Sequence, residues 1–442
     1  MPLDRLSAQD HQILRLERGT VRGHVCKVLI LEPCQGRGPP SVEELREHLD
    51  AKLDAAPRLR RRLVSTPLAV APPVWADDPD FDMARHVCRV PTDGPADRPQ
   101  LLEIVGRLMS ERLDRAHPLW RLDVVDMEDG CMALVWRIHH CLADGATAVK
   151  LGEALLWSET PDAPELTSPS WRPERTPGRA ALLARGLAYR GRRPRREKHE
   201  RGTSPRVSRA ALTRELGRTG ATTALAARVG PGRKIALASA PLAESKQAGK
   251  AIDPSVTLND VVLAIVSGGV RAWLLHCATP TEGIRVKVPV SLHERDEAPG
   301  IGNKDSYFFA DLPVEEPDPV KRLLAINRET AERKVDRDAE WLYRLGLHRP
   351  VARWAMSPHV FTLNVSNVPG PRNDIYVLAA RVREVYSLAE IAQHHALRVS
   401  VVSAAGTLFF GLCADRDAVT DLDVLTDGLN ETRDSLLRLC LN

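Results

Sequence analysis

The sequence predicts a mixed α/β protein built from more than one domain, and three observations carry that reading. Strand-like apolar runs alternate with helical segments that bring their own start signals, so neither element type dominates. The 442 residues exceed one ordinary core, at roughly 150 residues per domain. A proline- and arginine-rich stretch then divides the chain, giving expected units of 1–165, a linker of 166–208, and 209–442.

In the first unit, Ser7 with Asp10 three residues on predicts a helix start. His24–Leu31 reads as a strand. Ser41-Val42-Glu43-Glu44 is a capping box opening a helix toward Leu53. Leu101–Leu113 has amphipathic helical spacing. Trp120–Met127 and Met132–His140 are strands joined by the turn signal Glu128-Asp129-Gly130. A helix follows from Ala146 to Trp157.

Prolines 161, 164, 169, 173 and 177 then cluster, and arginines crowd the segment from Arg172 to Arg206. Ala180–Tyr189 has the makings of a short helix. The stretch reads either as a solvated linker or as a cationic surface for anionic lipid. In the second unit, Lys234–Ala238, Arg285–Val290 and Thr362–Ser366 read as strands, with Leu397–Val402 and Thr407–Cys413 as a closing hairpin. Helices are expected over Val261–His276, Pro317–Lys334 and Asp421–Leu439, and Gly268-Gly269 allows close packing in the first of these.

Apolar content of 43% and charged content of 27% are those of a globular chain. A net charge of +4 and scarce aromatics in the basic stretch argue against nucleic acid. The longest apolar run, Val261–Leu275, is interrupted by Gly268, Gly269 and Arg271 and falls short of a membrane span, which needs ~18 residues or more. The N-terminus lacks a signal-peptide core. Eight cysteines, at 26, 34, 88, 131, 141, 277, 413 and 440, form no CxxC pair, which fits reduced cytosolic thiols.

The most informative segment is His139-His140-Cys141-Leu142-Ala143-Asp144-Gly145. A histidine pair stands where a strand ends, and an Asp-Gly turn leads into a helix. Adjacent strand residues face opposite ways, so the two imidazoles do not readily share a metal, and no metal site is expected. One faces a cleft as general base, and His140, nearer the loop, is the better candidate. The other, His139, faces the core. Asp144 either caps the helix or pairs with an arginine, and Gly145 leaves room for substrate. No GxSxG elbow, P-loop or GxGxxG is present. With neither covalent nucleophile nor cofactor signature, direct acyl transfer to a substrate hydroxyl or amine is the expected chemistry.

HHxxxDG resembles the signature of the coenzyme A-dependent acyltransferase superfamily. Leu6–Asp10, Trp75–Asp82 with His86, Pro118-Leu119-Trp120, Leu258-Asn259-Asp260-Val261-Val262-Leu263-Ala264, Val288–Ser291, Gly302-Asn303, Ser366–Pro371 and Asp415–Val419 resemble, in order, the bacterial wax ester synthase/diacylglycerol acyltransferase family. The resemblance implies two chloramphenicol-acetyltransferase-like domains with an interdomain tunnel. It also implies acyl-CoA as co-substrate without a further cofactor, and diacylglycerol or a long-chain alcohol as acceptor. Work at the cytoplasmic face of the inner membrane or on lipid droplets is implied as well. His140 is then the base, with Pro118, Leu119, Trp120, Asn259 and Asp260 supporting the site or acyl channel. From the residues alone, Pro118–Trp120 equally reads as a strand anchor, Asn259-Asp260 as a helix cap, and Asn367 as a turn residue or an oxyanion donor.

One region departs from the family pattern: His394-His395-Ala396-Leu397-Arg398-Val399 is followed by Ser403-Ala404-Ala405-Gly406, with Ala404 in place of tyrosine. The second pair, His394-His395, is expected to be exposed at a strand start. Two alternatives accompany the main reading: an acyltransferase on a secondary-metabolite or glycolipid alcohol, and a non-catalytic lipid-surface protein.

Overall fold

The computed structural model describes residues 3–33, 38–161, 171–200, 223–291, 305–335, 357 and 359–439. Gly302-Asn303, Cys34 and Cys440 lie outside the described residues. Chain order in the first half is α1 (Ala8–Leu16), β1 (His24–Leu31), α2 (Val42–Lys52), β2 (Arg61–Val64), β3 (Val74–Asp77), α3 (Met83–His86), β4 (Val87–Arg89), α4 (Arg98–Ser110), β5 (Trp120–Asp126), β6 (Met132–His139), α5 (Gly145–Leu155) and α6 (Arg179–Glu200). The second half continues with β7 (Arg233–Pro241), α7 (Leu242–Ile252), α8 (Leu258–His276), β8 (Arg285–Ser291), β9 (Asp305–Asp311), α9 (Pro319–Val335), β10 (Leu363–Pro369), β11 (Tyr376–Val377), β12 (Ala380–Ala389), β13 (Leu397–Ala404), β14 (Thr407–Asp415) and α10 (Leu422–Arg438).

Local chemistry sets the helix starts. Ser7 accepts the Asp10 N–H at 3.0 Å, and Ser41 and Glu44 close a reciprocal capping box. α4 begins earlier than its apolar spacing implies, because Asp97 and Gln100 form a second such box with Pro99 in the first turn.

Two six-stranded sheets dominate, ordered β11-β12-β1-β6-β5-β4 and β7-β14-β13-β10-β8-β9. The first is not made by the first half alone. β12 lies antiparallel to β1, with Val25 opposite Ala389 and Lys27 opposite Ser387. A division that assigns all of 209–442 to the second unit therefore fails at residues 376–389, which return to complete the first sheet. β12 also carries the contact between sheets: a Cβ on Gly411 of β14 would collide with the Ser387 carbonyl, so only glycine permits this approach.

Gly268 and Gly269 serve the expected close packing. A Cβ on Gly268 would collide with Thr432, and one on Gly269 would sit 2.6 Å from the Leu425 carbonyl, so α10 lies directly on α8. α8 has the length and hydropathy to cross a membrane, more than its broken apolar run implied, yet most of it is buried in the protein core.

The basic segment is not simply a solvated linker. Leu182 of α6 is buried, Gly186 packs on Thr66 and Val70, the Glu174 N–H donates to Asp77 at 3.0 Å, and Arg60 stacks over Trp171 at 5.1 Å. Residues 171–191 are thus docked on the first unit.

Candidate active site

β6 ends at His139, held between two neighbours. The His139 N–H donates to the Leu119 carbonyl at 2.9 Å, and the His140 N–H donates to the Gly23 carbonyl at 2.8 Å. The His139 ring is buried. Its Nδ1 accepts the Cys141 N–H at 3.1 Å, which puts the ring proton on Nε2, 3.3 Å from a Glu17 carboxylate oxygen. Burial pushes the Glu17 carboxyl up, but hydrogen bonds from His139 and Arg115 outweigh it and hold the group below the usual carboxylate range. Gly23, at φ +74°, lies so close that a Cβ there would reach 3.0 Å from His139 Nε2. His139 is therefore locked to α1 and to the turn that follows it.

His140 is the residue beyond the strand and is only partly covered. Desolvation pushes its imidazole down to about 4; the Arg398 guanidinium adds to that push and the Asp144 carboxylate opposes it. At neutral pH the ring is uncharged and able to accept a proton. Asp144 is fully buried. It caps α5, with Oδ1 accepting the Thr147 N–H at 2.7 Å, which realises the cap half of the two readings. Its charge also reaches Lys27, a buried lysine on β1 that bonds Ser387 at 3.1 Å. Burial lowers Lys27 to about 8, and Asp144 is among the groups that resist the fall.

α5 points its first residue at the other sheet: a Cβ on Gly145 would lie 3.5 Å from Val368 of β10. In β10 and its parallel neighbour β13, Asn364 is opposite Arg398 and Ser366 opposite Ser400. Strand alternation then sets Asn364, Ser366 and Val368 on the face toward α5, together with Arg398 and Ser400. Asn367 falls on the opposite face. The strand runs to Pro369 rather than ending at Ser366, so Asn367 is a strand residue and not part of a turn. Asn364 Oδ1 and Ser400 Oγ are buried without a hydrogen-bond partner among the described residues. They are polar atoms on the same sheet face as Ser366.

The supporting motifs do structural work. Pro118, Leu119 and Trp120 are buried. Leu119 holds β6 through its carbonyl, and Trp120 donates to the Leu59 carbonyl at 2.7 Å while stacking on His86 at 4.5 Å. Phe81 stacks on the other side of His86 at 5.2 Å, so three motif segments meet in one aromatic column. Asp260 accepts from the Thr257 N–H at 2.8 Å, from Asn327 at 3.0 Å and from Thr330 at 2.6 Å. Burial raises its pKa, and these bonds more than reverse the effect. It clamps α8 to α9. Asn259 beside it is half-buried. His395 is not exposed: it is buried, stacks on Phe361 at 3.9 Å and bonds the Phe361 carbonyl at 3.1 Å. Sequence reasoning missed Glu17, Gly23, Lys27, Asn364 and Arg398. Only the glycine carried a local signal. Among the described residues, no cluster of three or more His, Cys, Asp or Glu is arranged to hold a metal.

Two six-stranded sheets thus meet at the N-terminus of α5, with an uncharged histidine ahead of it. Residues 6–262 match the wax ester synthase/diacylglycerol acyltransferase catalytic domain, and 301–436 match the C-terminal domain of the same family. A candidate diacylglycerol O-acyltransferase of Mycobacterium tuberculosis H37Rv is 30% identical over 98% of this chain and 97% of its own length. A second, from strain CDC 1551, is 31% identical over 96% of both. Among solved structures, the wax ester synthase/diacylglycerol acyltransferase of Marinobacter aquaeolei VT8 superposes with a TM-score of 0.71 at 23% identity, covering all of both chains. The first condensation domain of the CDA synthetase follows at 0.61 and 15%, over 99% of this chain and 96% of that one. The chain belongs to the wax ester synthase/diacylglycerol acyltransferase family, and it is an acyl-CoA-dependent O-acyltransferase.

Proposed function

We propose that the protein esterifies diacylglycerol, a long-chain alcohol or both with a fatty acyl group from acyl-CoA, using His140 as general base. Donor and acceptor enter a tunnel between the two sheets. The acceptor hydroxyl attacks the thioester carbonyl as His140 takes its proton, and the tetrahedral oxyanion is favoured by the positive end of α5. Collapse breaks the C–S bond, and the CoA thiolate leaves with the proton from His140. Ester and free CoA are the products, and no acyl-enzyme forms. His139, with Leu119 and Glu17, positions the loop. Asp144 holds α5, and Gly145 leaves space beside the base.

The observation that carries this reading is the uncharged His140 at the start of α5, against β10 of the second sheet. The experiment is ester formation from palmitoyl-CoA, offered separately with diacylglycerol and hexadecanol, to wild type and His140→Ala. Product with either acceptor, lost in the variant, supports the assignment. Folded wild type that makes neither ester would sink it.

The cytoplasmic face of a membrane or lipid droplet is the proposed place of work. Leu68 (85% exposed) and Leu187 (53%) stand out from the surface where α6 packs on Thr66 and Val70. Exposed Arg179, Arg185 and Arg190 lie on the same helix. Apolar side chains among cations fit a peripheral contact with anionic lipid. Leu68→Asp with Leu187→Asp should reduce sedimentation with phosphatidylglycerol vesicles, and unchanged sedimentation would exclude this surface.

A further inference from the structure

A cavity of about 510 Å³ opens between α4 and the start of β7, and His140 is not among its lining residues. It lies within the ~300–1,000 Å³ range of small-molecule sites. Four of its lining residues are arginines, 22, 107, 233 and 416, and the lining carboxylate is Glu103. Glu103, Ile104, Arg107 and Ser110 fall on one face of α4 by their spacing of three and four. The opposite wall comes from Pro231-Gly232-Arg233 and Arg416, so the cavity spans the two halves of the chain.

The four guanidinia are held differently. Arg233 is buried and saturated: it pairs with Glu390 at 2.6 Å and donates to the Gly230 and Thr20 carbonyls at 2.8 and 2.6 Å. It contributes rigidity. Arg22 donates to the Ser110 and Gly19 carbonyls at 2.5 and 3.1 Å, which neutralise none of its charge. Arg107 and Arg416 have side chains 57% and 53% exposed. Arg107 reaches Glu111 only at 4.0 Å, and Arg416 pairs with Glu103. Exposed pairs of this kind are worth ~0–1 kcal/mol and exchange readily for a better anion. Set against Glu103 and the Glu390 partner of Arg233, the four arginines leave an excess of two positive charges, and Arg107 and Arg416 carry theirs on exposed side chains able to swing inward.

Arg22 is the residue before Gly23, whose carbonyl holds the His140 N–H at 2.8 Å. The cavity wall and the acyl-transfer site are thus built on one short segment. Arginine forks match phosphate oxygens in geometry as well as charge. The co-substrate of the family carries a diphosphate and a 3′-phosphate on a nucleotide, joined by a flexible arm to the thioester.

We propose that this arginine-lined cavity binds the phosphate-bearing nucleotide end of the acyl-CoA donor, with Arg22, Arg107 and Arg416 as its anion contacts. The inference rests on the acyl-CoA reading of the donor and says nothing about the acceptor.

The test uses the full chain and the double variant Arg107→Ala/Arg416→Ala, which spares the buried Arg233. Two donors are compared, palmitoyl-CoA and palmitoyl-pantetheine, which keeps the thioester and lacks the nucleotide. The variant should lower the kcat/KM ratio between these donors by about tenfold. Calorimetry with free CoA and with 3′,5′-ADP should show a loss of affinity of similar size, and this needs no turnover. A folded variant with unchanged donor ratio and unchanged CoA affinity overturns the proposal. So does a variant that loses only its binding to phosphatidylglycerol vesicles, because the arginines would then serve a lipid headgroup. Wild type that binds CoA through these arginines but makes no lipid ester keeps the inference and defeats the acceptor reading instead.

Discussion

Two histidine pairs occur in this chain, His139-His140 and His394-His395, and the structure gives the same dipeptide two different fates. In each pair one ring is buried and bonded. His139 lies between a backbone N–H and the Glu17 carboxylate, whereas His395 is sandwiched on Phe361 and bonded to its carbonyl. The difference lies in what comes next. After His140 the chain turns into the capped start of α5, whose positive end faces the second sheet. After His395 it enters β13 and the sheet interior. On the proposed reading, the first pair is reactive because the element after it brings a helix N-terminus beside His140. Without that, it is packing.

The sharpest way to break this comparison is at His140. His140→Ala should lower kcat by roughly 10²–10⁴ in a variant that keeps its fold by circular dichroism. Equal activity in a folded variant would make the first pair no more functional than the second. Next comes Glu17→Gln, which removes the charge from the partner of His139 and keeps its shape. The expected loss is about tenfold in kcat, near 1.4 kcal/mol, with KM for the donor little moved and an altered pH profile. A change in stability alone would reduce the Glu17–His139 contact to a structural one.

The matching change in the second pair should act on folding instead. His395→Ala removes a stacked, hydrogen-bonded ring from the core and should cost about 2 kcal/mol in denaturant unfolding, with kcat retained in the folded fraction. A large kcat loss at unchanged stability would move the divergent region around 394–406 into the site.

How much of this was legible depends on distance along the chain. The strand–histidine–turn–helix order around 132–157 is local, and the sequence reading met it nearly residue for residue. Gly268-Gly269 and the Ser41 box were readable for the same reason. β12 has no counterpart in the sequence reading; its partner is β1, with Lys27 bonding Ser387 across 360 residues. Glu17 meets His139 across 122 residues, and no period announces such a contact. The strand end expected at Ser366 rests on the turn composition of Asn-Val-Pro-Gly-Pro, while pairing with β13 carries the strand on to Pro369 opposite Ser403. That extension decides which face each residue takes. His395 was expected to be exposed for want of any sign that Phe361 would cover it.

The smallest effect expected is a pH effect, and it separates the shared property of the two pairs from the distinct one. Burial pushes His140 down to about 4 and His395 to about 3, and His48 and His86 also to about 4. The unfolded chain has histidines near 6.5. Below that pH the unfolded state binds more protons than the folded one, so this stability is present above about 6.5 and is lost as pH falls toward 4. Denaturant midpoints should therefore decline through that window, and His395→Ala should flatten the decline slightly. Turnover divides the pairs. If His140 is the base, kcat falls only as its own ring gains a proton, near pH 4, and stays level from about 6 to 8. A kinetic midpoint near 6.5 in wild type would mean that His140 is solvated like an ordinary surface histidine, and that burial does not tune the base.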